Sequence, residues 1–449
     1  MIHSQKYGDF PTKLETGYSS RLRKQVGAFV VGDNSIIRKT ATDNILSVAP
    51  FSLQLLEECI NKFVKFNFVQ PNFEKEISLL REYIKLYPTM SQKNIWLYMD
   101  RHDKADDNAE HLFRYSSNID DGVERYFVAC KDSPDKRRLK KYGTVVDYGS
   151  RKHKLLVLFA KKYITSNFDF LRQYPFGTND KIEMFQGLVK SQFIFLQHGI
   201  TKDDMSLYFD RLTKNFKLII TANPMEYNSI INNENYGYTE KQVKLTGFAR
   251  YDNLYDSPKK QIVFMPTWRN TLLSTGELNY QYNEAFKYTS YFKALSEFIN
   301  DPKLILAAKE NGYELVFRPH PNMYGQAKDF KLDKYIKLSA FETSYQKIFA
   351  DASMIITDYS SAIFDYAYLK KPVLYYHFDE GQYDKGYFDY ETMGFGEIAK
   401  TKDDLVALVI EYMKDSCKMK EKYIARVNDF FLYKDKKNCQ RIYEEIIRL

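Results

Sequence analysis

Short apolar runs alternate along this chain with longer stretches in which apolar positions recur every three or four residues. "NIWLYM" (94–99), "RYFVAC" (125–130), "FIFLQ" (193–197) and "KLIITA" (217–222) predict a first set of strands. "QIVFMP" (261–266), "YELVFRP" (313–319), "YIKLS" (335–339), "SMIITD" (353–358) and "PVLYYHF" (372–378) predict a second. Runs of this second set are nearly continuous in apolar residues, as strands buried on both faces require. Strands separated by helix-length intervals imply parallel sheets with crossover helices, the doubly wound α/β class. The polar stretch "ARYDNLYDSPKK" (249–260) divides the sets and places a domain boundary near residue 250, between domains 91–250 and 251–401. Residues 402–449, rich in Lys, Glu and Leu at helical spacing, predict terminal helices. In the extension 1–90, "SLQLLEECINKFVKF" and "FEKEISLLREYIKLY" read as helical and "GAFVVGDNSIIRK" as strand and turn.

A length of 449 residues fits two domains, and 44% hydrophobic with 28% charged residues is a globular composition. No apolar run reaches membrane-spanning length, and "MIHSQKYGDFPTKLE" lacks the apolar core of a secretory leader, so a cytoplasmic protein is expected. Cys59, Cys130, Cys417 and Cys439 are scattered without C-x-x-C spacing, which predicts neither a disulfide framework nor a zinc site. Charge adds more. Residues 131–162 hold eleven Lys or Arg against three Asp, an excess equal to the net +8 of the whole chain. Such a stretch is either a solvated face or a surface for a polyanion or anionic lipid. No nucleic-acid-binding motif accompanies it, so nucleic acid is not an expected partner.

Candidate chemistry gathers at predicted strand ends, where open α/β sheets bind ligands. His198 follows an apolar strand in "FLQHGITKDD", with Gly199 after it to permit a sharp turn. An imidazole there can accept a proton at neutral pH or serve as a structural hydrogen-bonding group. His320 in "RPHP" is mounted between Pro319 and Pro321, and Arg318 offers a planar fork for phosphate oxygens. "IVFMPTWRN" brings Arg269 to a strand end. "MIITDYSSAIFDYAYLKKPVLYY" reads as strand, turn and helix, with Thr357 closing the strand and Ser360 and Ser361 opening the helix. That order suits either anion binding or simple helix capping. Arg269, His320 and the serine pair together could assemble a nucleotide diphosphate pocket.

The ordered set "HG" after a strand, "GFARYD", "PTWR", "RPHP" and "TDYSSAIFDYAYLKKPVLYY" resembles the CDP-glycerol glycerophosphotransferase family over residues 94 to 400. That family includes teichoic acid primases, teichoic acid polymerases and related capsule polymerases. The resemblance implies a GT-B-like fold of two Rossmann-like domains with a cleft between them, the acceptor on the N-terminal and the CDP-alditol on the C-terminal domain. It implies transfer of an alditol phosphate from CDP-glycerol or CDP-ribitol to a polyol-phosphate or lipid-linked acceptor, releasing CMP. His198 would be the general base. His320, with Arg269 and Arg318, would hold the donor pyrophosphate, and Thr357, Ser360 and Ser361 would line its phosphate site. "DDNAEHLFRY" (106–115) resembles the family's early Asp-Asn segment, which makes Asn108, with Gly199, an acceptor-side candidate. Ile200 stands before Thr201 where the family often has Thr directly after His-Gly.

Charge neutralisation and alignment are what phosphoryl transfer asks of a protein. No D-x-D-like cluster stands at a strand end, so no metal and no cofactor is expected beyond the donor itself. Stretch 131–162 would hold the anionic polymer and the cytoplasmic face of the membrane, making the protein peripheral there. A sugar-nucleotide glycosyltransferase of the same plan, or a non-catalytic module that binds polymer through the basic stretch, are the competing readings.

Overall fold

The computed structural model describes residues 46–67, 73–168, 187–269, 282–380 and 386–449, with the short pieces 2–4, 8–10, 28–31, 35–39, 174–177, 185 and 272. Contacts gather the chain into two units, Met1–Phe195 and Leu196–Leu449. His198 therefore belongs to the second unit, with Arg269, Arg318, His320 and the serine pair.

In the first unit, β1 (Ile2–Ser4) and β2 (Gly8–Phe10) form an antiparallel pair, and β3 (Ala28–Val31), β4 (Ser35–Lys39) and β5 (Leu46–Pro50) a second antiparallel group. Helices Leu53–Asn67 and Glu74–Met90 follow, where the apolar spacing predicts them. Then come β6 (Asn94–Met99), β7 (Val123–Ala129), β8 (Thr144–Asp147), β9 (Lys162–Thr165) and β10 (Gln192–Phe195). They lie side by side in the order β10-β9-β6-β7-β8, every pair parallel. β8 and β9 went unpredicted because β8 lies inside the basic stretch and β9 begins at its last lysine, and charge at a strand end masks a run of four residues.

The second unit opens with the parallel pair β11 (Leu218–Thr221) and β12 (Val243–Leu245). A six-stranded parallel sheet follows: β13 (Gln261–Phe264), β14 (Glu314–Phe317), β15 (Ile336–Leu338), β16 (Met354–Thr357), β17 (Val373–Tyr376) and β18 (Gly396–Ala399). Its order is β15-β14-β13-β16-β17-β18, so β13 and β16 are the central neighbours. β16 and β17 are buried at all four positions, as continuous apolar runs covered on both faces must be.

Helix Ser290–Ile299 covers one face with Tyr291, Leu295, Phe298 and Ile299, the one-sided spacing of an amphipathic helix. Phe298 meets Phe264 edge to face at 5.0 Å, and Phe264 meets Phe317 at 5.8 Å. Each such ring removed from water contributes about 1.5–3 kcal/mol. The next helix, Pro302–Asn311, is capped by Asp301, starts on a proline and stops at Gly312 with φ 70°. Residues 402–449 form three helices, Lys402–Lys414, Glu421–Phe430 and Asn438–Ile447. Three of the four cysteines, Cys59, Cys417 and Cys439, are buried.

Candidate active site

The His198 turn is built on the residue before it. Gln197 is 1% exposed and takes φ +58°, the left-handed region. A non-glycine residue stays there only when its surroundings hold it. Gln197 Nε2 donates to the carbonyl of Ile220 at 2.6 Å and to Glu226 Oε1 at 3.0 Å, and its own carbonyl oxygen accepts from the Thr201 hydroxyl. Glu226, fully buried, also accepts the backbone N–H groups of Thr201 and Ala222, each at 2.7 Å. Burial pushes the Glu226 pKa up to about 7 against the pull of those hydrogen bonds. His198 itself is exposed, between buried Gln197 and buried Ile200.

This corrects the reason expected for Gly199. The unusual backbone angle belongs to Gln197. Gly199 instead lies in close approach, since a Cβ there would stand 3.0 Å from Ser361 Oγ and 3.5 Å from Ser361 Cβ. The His-Gly turn thus lies against Ser361. Ser360 Oγ accepts the backbone N–H of Ala362 at 3.3 Å, and the helix proper begins two residues after Ser361, at Ile363.

The strand end before those serines is clamped to the neighbouring strand. Thr357, fully buried, donates to the carbonyl of Met265 at 2.7 Å. Asp358, 1% exposed, accepts from Thr267 through both backbone N–H (2.8 Å) and hydroxyl (2.7 Å), and from Arg269 Nη2 at 2.8 Å. Arg269 closes the ring by donating to both oxygens of Asp379, at 2.8 and 3.0 Å. Burial works against the guanidinium charge, but Asp379 and Asp358 outweigh it and hold the Arg269 pKa above its usual value.

Trp268, next in the chain, carries the connection to the second histidine, its ring 5.9 Å from that of His320. His320 Nδ1 accepts the backbone N–H of Asn322 at 3.1 Å. In the neutral ring the proton is then on Nε2. Beneath it Arg318 is fully buried and donates to Tyr324, Ser339 and the carbonyls of Ala340, Phe341 and Thr343. The two arginines therefore differ. Arg269 faces two carboxylates, whereas the Arg318 bonds run to neutral oxygens.

Three contacts join the candidates of this unit in sequence: Gly199 to Ser361, Asp358 to Arg269, and Trp268 to His320. Asn108 lies in the first unit, where it is fully buried as the first residue of helix Asn108–Ser116. Sequence reasoning missed Gln197, Glu226, Asp379 and His377, as well as Asp365, which takes a bidentate bond from buried Arg250 of "GFARYD". The available signal was an acidic residue near each strand end; its partner was not visible. Among the described residues no group of three or more His, Cys, Asp or Glu could hold a metal ion, and no helix is long and apolar enough to cross a membrane.

Residues 80–448 match the family described as CDP-glycerol:poly(glycerophosphate) glycerophosphotransferase. The minor teichoic acid biosynthesis protein GgaB of Bacillus subtilis (strain 168) is 43% identical over 380 residues, 84% of this chain and 42% of that protein. A teichoic acid poly(ribitol-phosphate) polymerase of Bacillus spizizenii is 26% identical over 244 residues, 48% of this chain and 35% of its own. The chain thus spans less than half the length of these curated relatives. The structure of the wall teichoic acid polymerase TagF superposes with a TM-score of 0.59 at 17% identity, over 89% of this chain and 99% of that one. The fold is accordingly GT-B-like.

Proposed function

The chain belongs to the CDP-glycerol:poly(glycerophosphate) glycerophosphotransferase family, and from that premise we propose that it moves an alditol phosphate from a CDP-alditol to a hydroxyl of a polyol-phosphate acceptor and releases CMP. Glycerol phosphate is the first choice of cargo, on the family's description; ribitol phosphate is the second, on the polymerase named above. The observation that supports the reading is the run of contacts from Gly199, beside His198, to Ser361, from Asp358 to Arg269, and from Trp268 to His320.

In this mechanism the acceptor oxygen attacks the phosphorus that bears the alditol. Its proton passes to exposed His198. The bond from that phosphorus to the bridging oxygen breaks, and CMP leaves with the bridging electrons. His320 Nε2–H donates to the departing phosphate, and the charge of Arg318 favours the same end. Ser360 and Ser361 present hydroxyls to the donor phosphates. Arg269 and Thr357 act from behind, holding the turn that presents those serines. Positioning and charge supply the catalysis, and the step is written without a metal. CMP release that persists in excess EDTA would support that.

His198→Ala should lower CMP release from CDP-glycerol by roughly a hundredfold or more, the usual worth of a general base, while the melting temperature holds. An unchanged rate would remove His198 from the mechanism.

Membrane attachment is part of the proposal. Of the basic stretch, Lys136 is paired with Asp147 and Arg138 with Glu110 and Asp135, whereas Arg137, Lys140 and Lys141 are exposed. Reversing those three to Glu should weaken sedimentation with anionic vesicles by roughly tenfold or more, at about 1 kcal/mol per basic residue. Undiminished sedimentation would count against this surface.

A further inference from the structure

We propose that His377 is a positioning residue that holds the Asp358–Ser361 turn in its donor-binding form, an inference that rests on the functional reading above. A third histidine stands at a strand end in this unit, and the mechanism does not use it. β16 and β17 are parallel with Thr357 opposite Tyr375. Two residues on, that register brings His377 beside Tyr359. The rings stack, with centroids 4.3 Å apart and planes 15° apart. The backbone N–H of His377 donates to the carbonyl of Ala399 at 2.9 Å, and Tyr390 meets the ring edge-on at 4.7 Å. The imidazole is thereby aimed from three sides.

What it is aimed at is the peptide carbonyl of Asp358, 3.2 Å from Nε2. A carbonyl only accepts, so Nε2 carries the proton. The Asp358 side chain is already held by Thr267 and Arg269. His377 grips the same residue by its backbone, and the peptide it fixes is the one from which Tyr359, Ser360 and Ser361 follow. With carboxylate and carbonyl both anchored, the turn has little freedom to rotate its hydroxyls away. Burial holds the His377 pKa below the ordinary imidazole value, with Lys202 acting the same way and Asp358 and Asp379 opposing. Neutral and protonated rings both keep an Nε2–H, so this clamp is not a pH switch.

The test uses the full chain and two substitutions. His377→Phe keeps a ring on Tyr359 and removes the N–H; His377→Gln returns a donor at a similar reach. H377F should raise the KM for CDP-glycerol by roughly three- to tenfold, the worth of one hydrogen bond, with kcat within about twofold, and H377Q should recover most of the loss. Amide hydrogen exchange at Ser360–Ala362, read without any substrate, should quicken in H377F and not in H377Q. Wild-type exchange at those amides in H377F would overturn the positioning role. Faster exchange with an unchanged KM would overturn its link to the donor. Absence of CMP release by the unsubstituted protein would instead overturn the functional reading and the donor link with it, while the exchange result would still decide whether His377 holds the turn.

Discussion

Each unit buries a carboxylate at the end of a parallel strand, and the two are compensated differently. Asp100 follows β6 at 2% exposure. It accepts four hydrogen bonds, from the backbone N–H groups of Asp107 (3.1 Å), Ala109 (2.9 Å) and Glu110 (3.2 Å) and from the Ser166 hydroxyl (2.6 Å). All four are dipoles. Burial, with nearby Asp107 next in weight, pushes its pKa up to about 8. Asp358 follows β16, equally buried, and its carboxylate meets a guanidinium that a second carboxylate shares. Dipoles make a site that titrates; a fixed cation makes a rigid turn. The second arrangement stands where phosphates are proposed to bind, and the first ties a strand end to a helix start.

The largest effect should come from breaking the ion pair. Arg269→Met leaves Asp358 and Asp379 facing each other without a cation, which should cost about 3–5 kcal/mol in urea unfolding. A loss below about 1 kcal/mol would mean that dipoles suffice in the second unit as in the first.

Asp100→Asn is next. The new amide N–H2 must face two N–H donors, at a cost of about 1–3 kcal/mol. The sign with pH follows from linkage. A carboxyl whose pKa rises from 3.8 unfolded to about 8 folded contributes most below the lower value and loses that contribution as pH climbs through the upper one. D100N lacks this titration, so its deficit against the native protein should be largest near the acid end of that window and narrow towards the alkaline end. A constant deficit would show that Asp100 keeps one protonation state throughout.

The smallest effect tests the clamp itself. Gly199→Ala should cost about 1 kcal/mol by overpacking against Ser361. In a Ser361→Ala background the penalty should vanish, because the new Cβ then meets only a carbon at ordinary contact distance. Equal penalties in both backgrounds would separate the two turns.

Much of the framework was legible beforehand. All nine strands expected from apolar runs are present, since burial on both faces writes itself into consecutive residues. The order of HG, PTWR, RPHP and TDYSS likewise pointed to the family that residues 80–448 match. β1, β2, β5, β8, β9, β12 and β18 escaped, being three to five residues long with charged or small residues among them. Within the site, Arg269 was legible as a strand-end cation, but its neutralisation by Asp379, 110 residues away, was not. Gly199 was legible as a turn residue, but its close approach to Ser361 was not.

Periodicity, capping and motif order are local, and they settle which elements form and which side chains stand at their ends. Partnership is not local. Whether a buried arginine is cancelled by carboxylates, as Arg269 is, or surrounded by neutral oxygens, as Arg318 is, depends on which distant loops fold onto it. So does the left-handed turn at Gln197, which exists because a buried glutamate from another helix receives its amide. Those choices belong to the folded chain, because only there do residues far apart in sequence share one low-dielectric site.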